Sequence, residues 1–190
     1  MLTNLFFSKV FLDILLIVVS VDGSTDHPIV NNDQHVITYK VEKNNVHFYF
    51  DLRGDTSNNL EGKWPKLDAY TIWVDYNRNG RIDSLVDRSF SPIMAGGFYT
   101  VCKSLTLGEQ IMSSCEFYFG GSCTKNFKST AHNFDPHVFF EMTIPKSELS
   151  QDGKSVHLAL DIIDGGGNRA TYPAFTYKNP FSETIKLQLQ

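Results

Sequence analysis

Apolar side chains occupy every second position of Val46–Leu52, with Val46, Phe48, Phe50 and Leu52 on one face and His47, Tyr49 and Asp51 on the other. A period of two is that of a pleated strand; a helix would scatter these residues around its circumference. The stretch from His35 to Glu42 alternates in the same way, and Asn44-Asn45 between the two runs supplies turn chemistry. The pair therefore predicts a β-hairpin. Ala69–Val74 reads as a buried strand, and Phe98–Lys103, Glu116–Phe119, Val138–Ile144, Val156–Ile163 and Thr184–Leu189 as further strands. Ile185, Leu187 and Leu189 in the last run are expected to face the core. Helical periodicity is weak everywhere and strongest near Leu105–Met112. Aromatic residues make up 13% of the chain, and flat rings suit pleated surfaces. Many short strands separated by turn residues predict an all-β chain folded as a single jelly-roll-like β-sandwich.

The first residues bear on the compartment. Val10–Val21 is nearly all apolar, a short lead before it carries Lys9, and polar Asp22-Gly23-Ser24-Thr25 follow at once. That is the layout of a signal peptide, too short to span a bilayer comfortably. Ser20 or Val21-Asp22-Gly23 offers small residues for cleavage. Asp13 interrupts the pattern, and an uncleaved anchor or a buried helix is the competing reading. The expectation is a signal peptide over 1–23 and a β-sandwich domain over 24–190, secreted or periplasmic/extracellular, with no membrane span in the mature chain. Ser24–Gln34 reads as a loose lead-in and Arg53–Lys66 as a loop. A net charge of −4 with no run of Lys or Arg argues against a nucleic acid as partner, since phosphate contacts need a basic patch.

Asp75-Tyr76-Asn77-Arg78-Asn79-Gly80-Arg81-Ile82-Asp83 places oxygen-bearing side chains at alternate positions before a glycine. Calcium takes six to eight oxygens at about 2.4 Å, and such spacing lets one loop wrap one ion. The expected ligands are Asp75, Asn77, Asn79, the Arg81 carbonyl and Asp83, completed by Asp87. The pattern resembles the first part of an EF-hand loop, with two departures: position twelve is Val86, and the segment before Asp75 reads as a strand. The competing reading is a bare turn, for which Asn79-Gly80 with flanking Asp and Asn is a strong signal.

Of the three cysteines, Cys115 and Cys123 bracket a turn at Phe119-Gly120-Gly121-Ser122 and are the expected disulfide, leaving Cys102 unpaired. No Cys-x-x-Cys spacing indicates a metal. Asp161–Arg169 holds three consecutive glycines after a strand. Without a following helix and Lys-Ser/Thr it reads as a hairpin loop and not as a phosphate cradle.

Val46–Asp51, Asp68–Asp75, Phe140–Leu149 with its Glu141-x-x-Ile144-Pro145-x-x-x-Leu149 spacing, and Asp161–Arg169 occur in an order that resembles family 9 carbohydrate-binding modules and their DOMON-like relatives. The resemblance implies a secreted β-sandwich that binds carbohydrate, a polysaccharide or glycan, without cleaving it, and that calcium stabilises. In such modules aromatic rings stack on sugar faces. Trp64, in a polar loop, and Tyr172, after the glycines, are the leading rings; Trp73 is either a site residue or core. Asn168 and Arg169 are the candidate hydrogen-bonding partners of sugar hydroxyls.

Other functions compete. Glu116, Glu141, Asp161 and Asp164 could form a hydrolytic pair, with His137 as a base, but no segment joins nucleophile, base and orienting group. Glu141 reads as the charged start of the Ile144-Pro145 turn. His132 and His137 lack a third ligand for zinc. The alternatives kept are a secreted adhesion or structural domain that binds protein, and a small jelly-roll polysaccharide lyase.

Overall fold

The structure, a computed structural model, describes residues 26–58, 68–83, 86–95, 98–107, 110–111, 116–118, 121–164, 168–175 and 179–190. The signal-peptide segment, Trp64 and Cys115 lie outside these residues. The chain is an all-β sandwich. In chain order the strands are β1 (His27–Asn31), β2 (Val36–Val41), β3 (Asn45–Leu52), β4 (Ala69–Asp75), β5 (Arg88–Ala95), β6 (Phe98–Leu107) and β7 (Gln110–Ile111). They continue as β8 (Glu116–Tyr118), β9 (Ser122–Lys128), β10 (His137–Pro145), β11 (Ser155–Ile163), β12 (Arg169–Tyr172) and β13 (Ile185–Gln188). One helical turn, α1 (Lys146–Leu149), follows Pro145.

A five-stranded antiparallel sheet runs β1-β2-β3-β10-β9. An eight-stranded antiparallel sheet runs β12-β11-β4-β5-β6-β7, with β13 on β11 and β8 on β6. The expected hairpin is β2–β3, with Tyr39 opposite Phe48 and Ile37 opposite Phe50. Around Leu105–Met112, where helical character was strongest, the chain instead forms the end of β6 and β7, because pairing with neighbouring strands outweighs a weak helical pattern. Where a loose lead-in was expected, β1 pairs with β2.

The alternation sets which side chains meet. Phe48, Phe50, Phe140, Met142 and Ile144 point inward from the five-stranded sheet; Tyr70, Ile72, Val74, Leu158 and Leu160 meet them from the other, all at most 1% exposed. Leu187 and Leu189 join this core as expected, while Ile185 packs at its margin. Tyr70 joins the layers: its ring stacks on Phe50 at 4.0 Å and meets Phe140 edge-on at 4.8 Å. Each large side chain taken from water contributes about 1.5–3 kcal/mol, and paired rings add about 0.5–1.5 kcal/mol.

Phe50→Ala removes the ring on which Tyr70 stacks and is expected to cost about 3–5 kcal/mol in urea denaturation. Phe134, 88% exposed, serves as the control: Phe134→Ala should stay within about 0.5 kcal/mol of the parent. Equal losses in the two variants would contradict this account of the core.

Candidate functional site

The outward residues of the five-stranded sheet line a cleft of about 630 Å³. Tyr49 on β3 and Phe139 on β10 lie in it, with Thr38, Asp51 and Glu141, and the segment Lys128–His132 walls one side. Cross-strand register sets the spacing: Glu141 stands opposite Tyr49, and Phe139 opposite Asp51, so the two rings are diagonal neighbours on central strands. Lys128 Nζ lies 4.1 Å from the centre of the Phe139 ring and 3.9 Å from Glu141 Oε1. Burial raises the Tyr49 phenol, and the charges of Asp26, Glu141 and Glu42 add to that rise. Carboxylates thus act on the Tyr49 side of the cleft, and the Lys128 ammonium on the Phe139 side. Glu141, expected at a turn, sits in mid-strand on this outer face, because the β10 pairing continues to Pro145.

Beneath the cleft lies a buried polar cluster. His137 is fully buried, its Nε2 is 2.6 Å from Asp51 Oδ1, and its Nδ1 is 2.7 Å from the Asp135 carbonyl oxygen. The Thr130 hydroxyl donates to Asp51 Oδ2 at 2.6 Å. Both ring nitrogens thus face oxygen partners, and the ring is fully enclosed. In this position His137 braces the loop that walls the cleft.

The Asp75–Asp87 segment is folded around its carboxylates. Asp75 Oδ1 and Oδ2 accept the backbone N–H groups of Asn79 (3.1 Å) and Gly80 (2.8 Å). Asp87 Oδ1 and Oδ2 accept those of Tyr76 (2.9 Å) and Asp83 (2.7 Å). The amide nitrogens of Asn77 and Asn79 both donate to Asp83 Oδ2. Arg78, at φ 62°, and Gly80, at φ 76°, supply the left-handed turns. The Arg81 backbone N–H bonds Asn79 Oδ1 at 2.8 Å. Asp75 is 1% and Asp87 0% exposed. Burial pushes the Asp87 carboxyl up to about 6, against its two backbone hydrogen bonds, and the charges of Asp75 and Asp83 push in the same direction as burial. The expected ligand residues are thus gathered, and their oxygens have the hard character that suits calcium. Among the described residues, however, no three His, Cys, Asp or Glu side chains converge as a ready metal cage.

The remaining candidates divide. Asn168 and Arg169 line a second cleft of about 390 Å³ with His35 and Asp164. Both also brace the hairpin: Arg169 grips Asp161 through two bonds of 2.8 and 2.5 Å, and Asn168 bonds both Asp164 oxygens at 2.7 Å. Tyr172 Oη lies 2.8 Å from His35 Nδ1 and accepts from Asn32 Nδ2 at 3.0 Å. Trp73 is 4% exposed and packs with Ala159 and Phe181 on the covered outer face of the eight-stranded sheet. A ring so enclosed cannot stack on a ligand, so Trp73 is core.

The Cys115–Cys123 pairing is corrected on the Cys123 side. Cys123 is a free thiol that points into the core from β9, with Sγ 3.2 Å from Tyr70 Oη. Alternation along β9 turns position 123 inward, and sequence spacing alone did not reveal that facing. The cleft rings Tyr49 and Phe139 were missed because alternation marks outward residues as solvent-facing. Only the pairing of β3 with β10 sets them side by side.

Among the described residues, no helix is long and apolar enough to cross a membrane. No family model matches the chain, and no curated protein matches it.

Burial raises the Cys123 thiol to about 11, which leaves little thiolate at neutral pH. Cys123 is therefore expected to resist iodoacetamide in the native protein and to label fully in denaturant, as followed by peptide mass mapping. Rapid native labelling, or a disulfide-linked peptide, would contradict its buried free state.

Proposed function

We propose that this chain is an exported, non-catalytic binding module that takes an uncharged carbohydrate on the outer face of its five-stranded sheet. The observation that supports the reading is the diagonal pair Tyr49 and Phe139 in an open cleft edged by Thr38, Lys128 and Glu141. Two rings on adjacent central strands offer a platform for the C–H face of a sugar, and the surrounding polar groups can bond its hydroxyls. Glu141 and Asp51 in the lining oppose an anionic sugar, and Lys128 is already 3.9 Å from the Glu141 carboxylate, which supports a neutral one. The order of motifs shared with family 9 carbohydrate-binding modules points the same way. A sheet is also a better support than a loop, since pairing on both sides holds each ring in place.

In this reading calcium stiffens the end of the sandwich. Asp75, Asn77, Asn79, Asp83 and Asp87 would hold it with the Arg81 carbonyl, and rotation of the Asn77 and Asn79 amides would present oxygen in place of nitrogen. Net negative charge buried at Asp75 and Asp87 favours a cation there.

A second reading, a module that binds protein, draws on Phe134. This ring is 88% exposed in the loop whose earlier residues wall the cleft, where it could anchor a partner.

A glycan array followed by calorimetry tests the main reading. Tyr49→Ala and Phe139→Ala should each weaken binding about tenfold, equivalent to ~1.4 kcal/mol, while leaving the melting temperature nearly unchanged. A broad array with no bound neutral glycan, or a bound oligosaccharide that shortens with time, would overturn it.

Calcium, binding the native state only, should raise the melting temperature with its concentration, and Asp83→Ala should abolish the rise. Equal melting temperatures in excess calcium and in chelator would remove the ion from the account.

A further inference from the structure

The inward row of β9 reads Cys123, Lys125 and Phe127, and Lys125 is the exception to an apolar interior. It lies opposite Phe140, which in turn lies opposite Phe50. The Lys125 side chain is 1% exposed, and Nζ is 2.9 Å from Oδ2 of Asp68, whose side chain is 0% exposed. The Phe140 ring stands 5.3 Å from the same nitrogen. An ammonium has three protons to place, and among the described residues the carboxyl of Asp68 is the acceptor that Nζ reaches. Asp55, itself 9% exposed, is near enough for its charge to raise the Asp68 carboxyl, and its buried Oδ2 has no hydrogen-bond partner among the described residues. Asp55 Oδ1 accepts the backbone N–H of Ser57 at 3.0 Å and its hydroxyl at 2.5 Å, which holds the side chain in place. The group is thus an amine and two carboxyls, buried, with the Phe140 ring beside the amine.

We propose that Lys125 and Asp68 join covalently as an intramolecular isopeptide bond, with Asp55 as the proton carrier. The three groups match the needs of the reaction. Burial penalises the ionised pair, and transfer of one proton from Nζ to the carboxyl yields a neutral amine and a carboxylic acid. Burial raises Asp68, the bond to Lys125 opposes that rise and Asp55 adds to it, so the acid form is within reach. The Nζ lone pair then attacks Cγ of Asp68. Asp55 accepts a proton from the nitrogen and returns it to the departing hydroxyl, the C–O bond breaks, and one water leaves. Ammonium plus carboxylate become amide plus water, so atoms and charge balance without oxidant or external enzyme. Fixed contact between amine and carboxyl supplies the effective concentration such a condensation needs in water. The product also removes two buried charges and replaces them with a neutral amide.

Topology gives the bond a purpose. Lys125 lies on an edge strand of the five-stranded sheet, and Asp68 lies just ahead of β4 in the eight-stranded sheet. The amide would tie the two layers together beside Tyr70, and no reductant could release it. This suits a domain expected outside the cell.

The test is intact-mass analysis of the purified, folded chain, followed by tryptic mapping. The expected result is a mass one water below that of the processed sequence and a single joined peptide carrying both Asp68 and Lys125. Asp55→Asn, which keeps the amine and its carboxyl partner, should show the full mass and separate peptides. Lys125→Met, which keeps the volume but lacks the amine, should do the same and should melt in denaturant at lower concentration than the parent. A folded parent that shows the full mass and separate peptides after days at 37 °C would overturn the proposal. A water loss without the joined peptide would overturn it equally. A joined peptide that persists in Asp55→Asn would overturn the role given to Asp55. Should Lys125→Met fail to fold, the parent and Asp55→Asn still decide the matter.

Discussion

The contact of Tyr70 with Phe50 and Phe140 is the joint on which the two layers depend. Tyr70 comes from the eight-stranded sheet and the two phenylalanines from the five-stranded one, and all three are at most 1% exposed. Two sheets that pack face to face must interdigitate side chains across a gap of about 10 Å, and large rings fill that gap at small entropic cost. Once these rings are in place, the register of β3 against β10 is set, because a slip by one residue would turn Phe50 and Phe140 to solvent.

The same register builds the surface of the proposed site. With Phe48, Phe50, Phe140 and Met142 held inward, Tyr49, Phe139 and Glu141 have no choice but to face outward. Fold and cleft are therefore two faces of one alternation. The polar groups between them follow a related logic: Asp51 is buried, and His137 with Thr130 supplies the partners that burial demands. Lys125 is the opposite case, a charge placed where alternation asks for an apolar residue. The ion pair with Asp68 makes that placement tolerable.

Several elements were legible in the residues. The β2–β3 hairpin, β4, β10, β11 and β13 were expected close to where they stand, since each alternates or packs β-branched and aromatic residues. The strand β9 was not, and Lys125 is the reason: a lysine at the centre of its inward row hides the pattern. Pro92, with Ser89 and Ser91 before it, hid β5 in a similar way, and β1 borrows its order from pairing with β2. Of the candidate site residues, Asp75, Asn77, Asn79, Asp83 and Asp87 are gathered because they are near in sequence and close one loop. Asn168 and Arg169 are near one another too, but they serve the hairpin itself by binding Asp164 and Asp161.

What the sequence determined by itself was local: a two-residue period that permits only strands, turn chemistry between them, and an acidic loop with its own hydrogen-bonding partners. What only the tertiary structure decided was long-range. It placed Trp73 under Phe181, turned Cys123 toward Tyr70, set Tyr49 diagonal to Phe139 and brought Lys125 to Asp68. The physical reason is that alternation tells each strand which side chains share a face, while the identity of the strand across the gap depends on how all the faces pack at once.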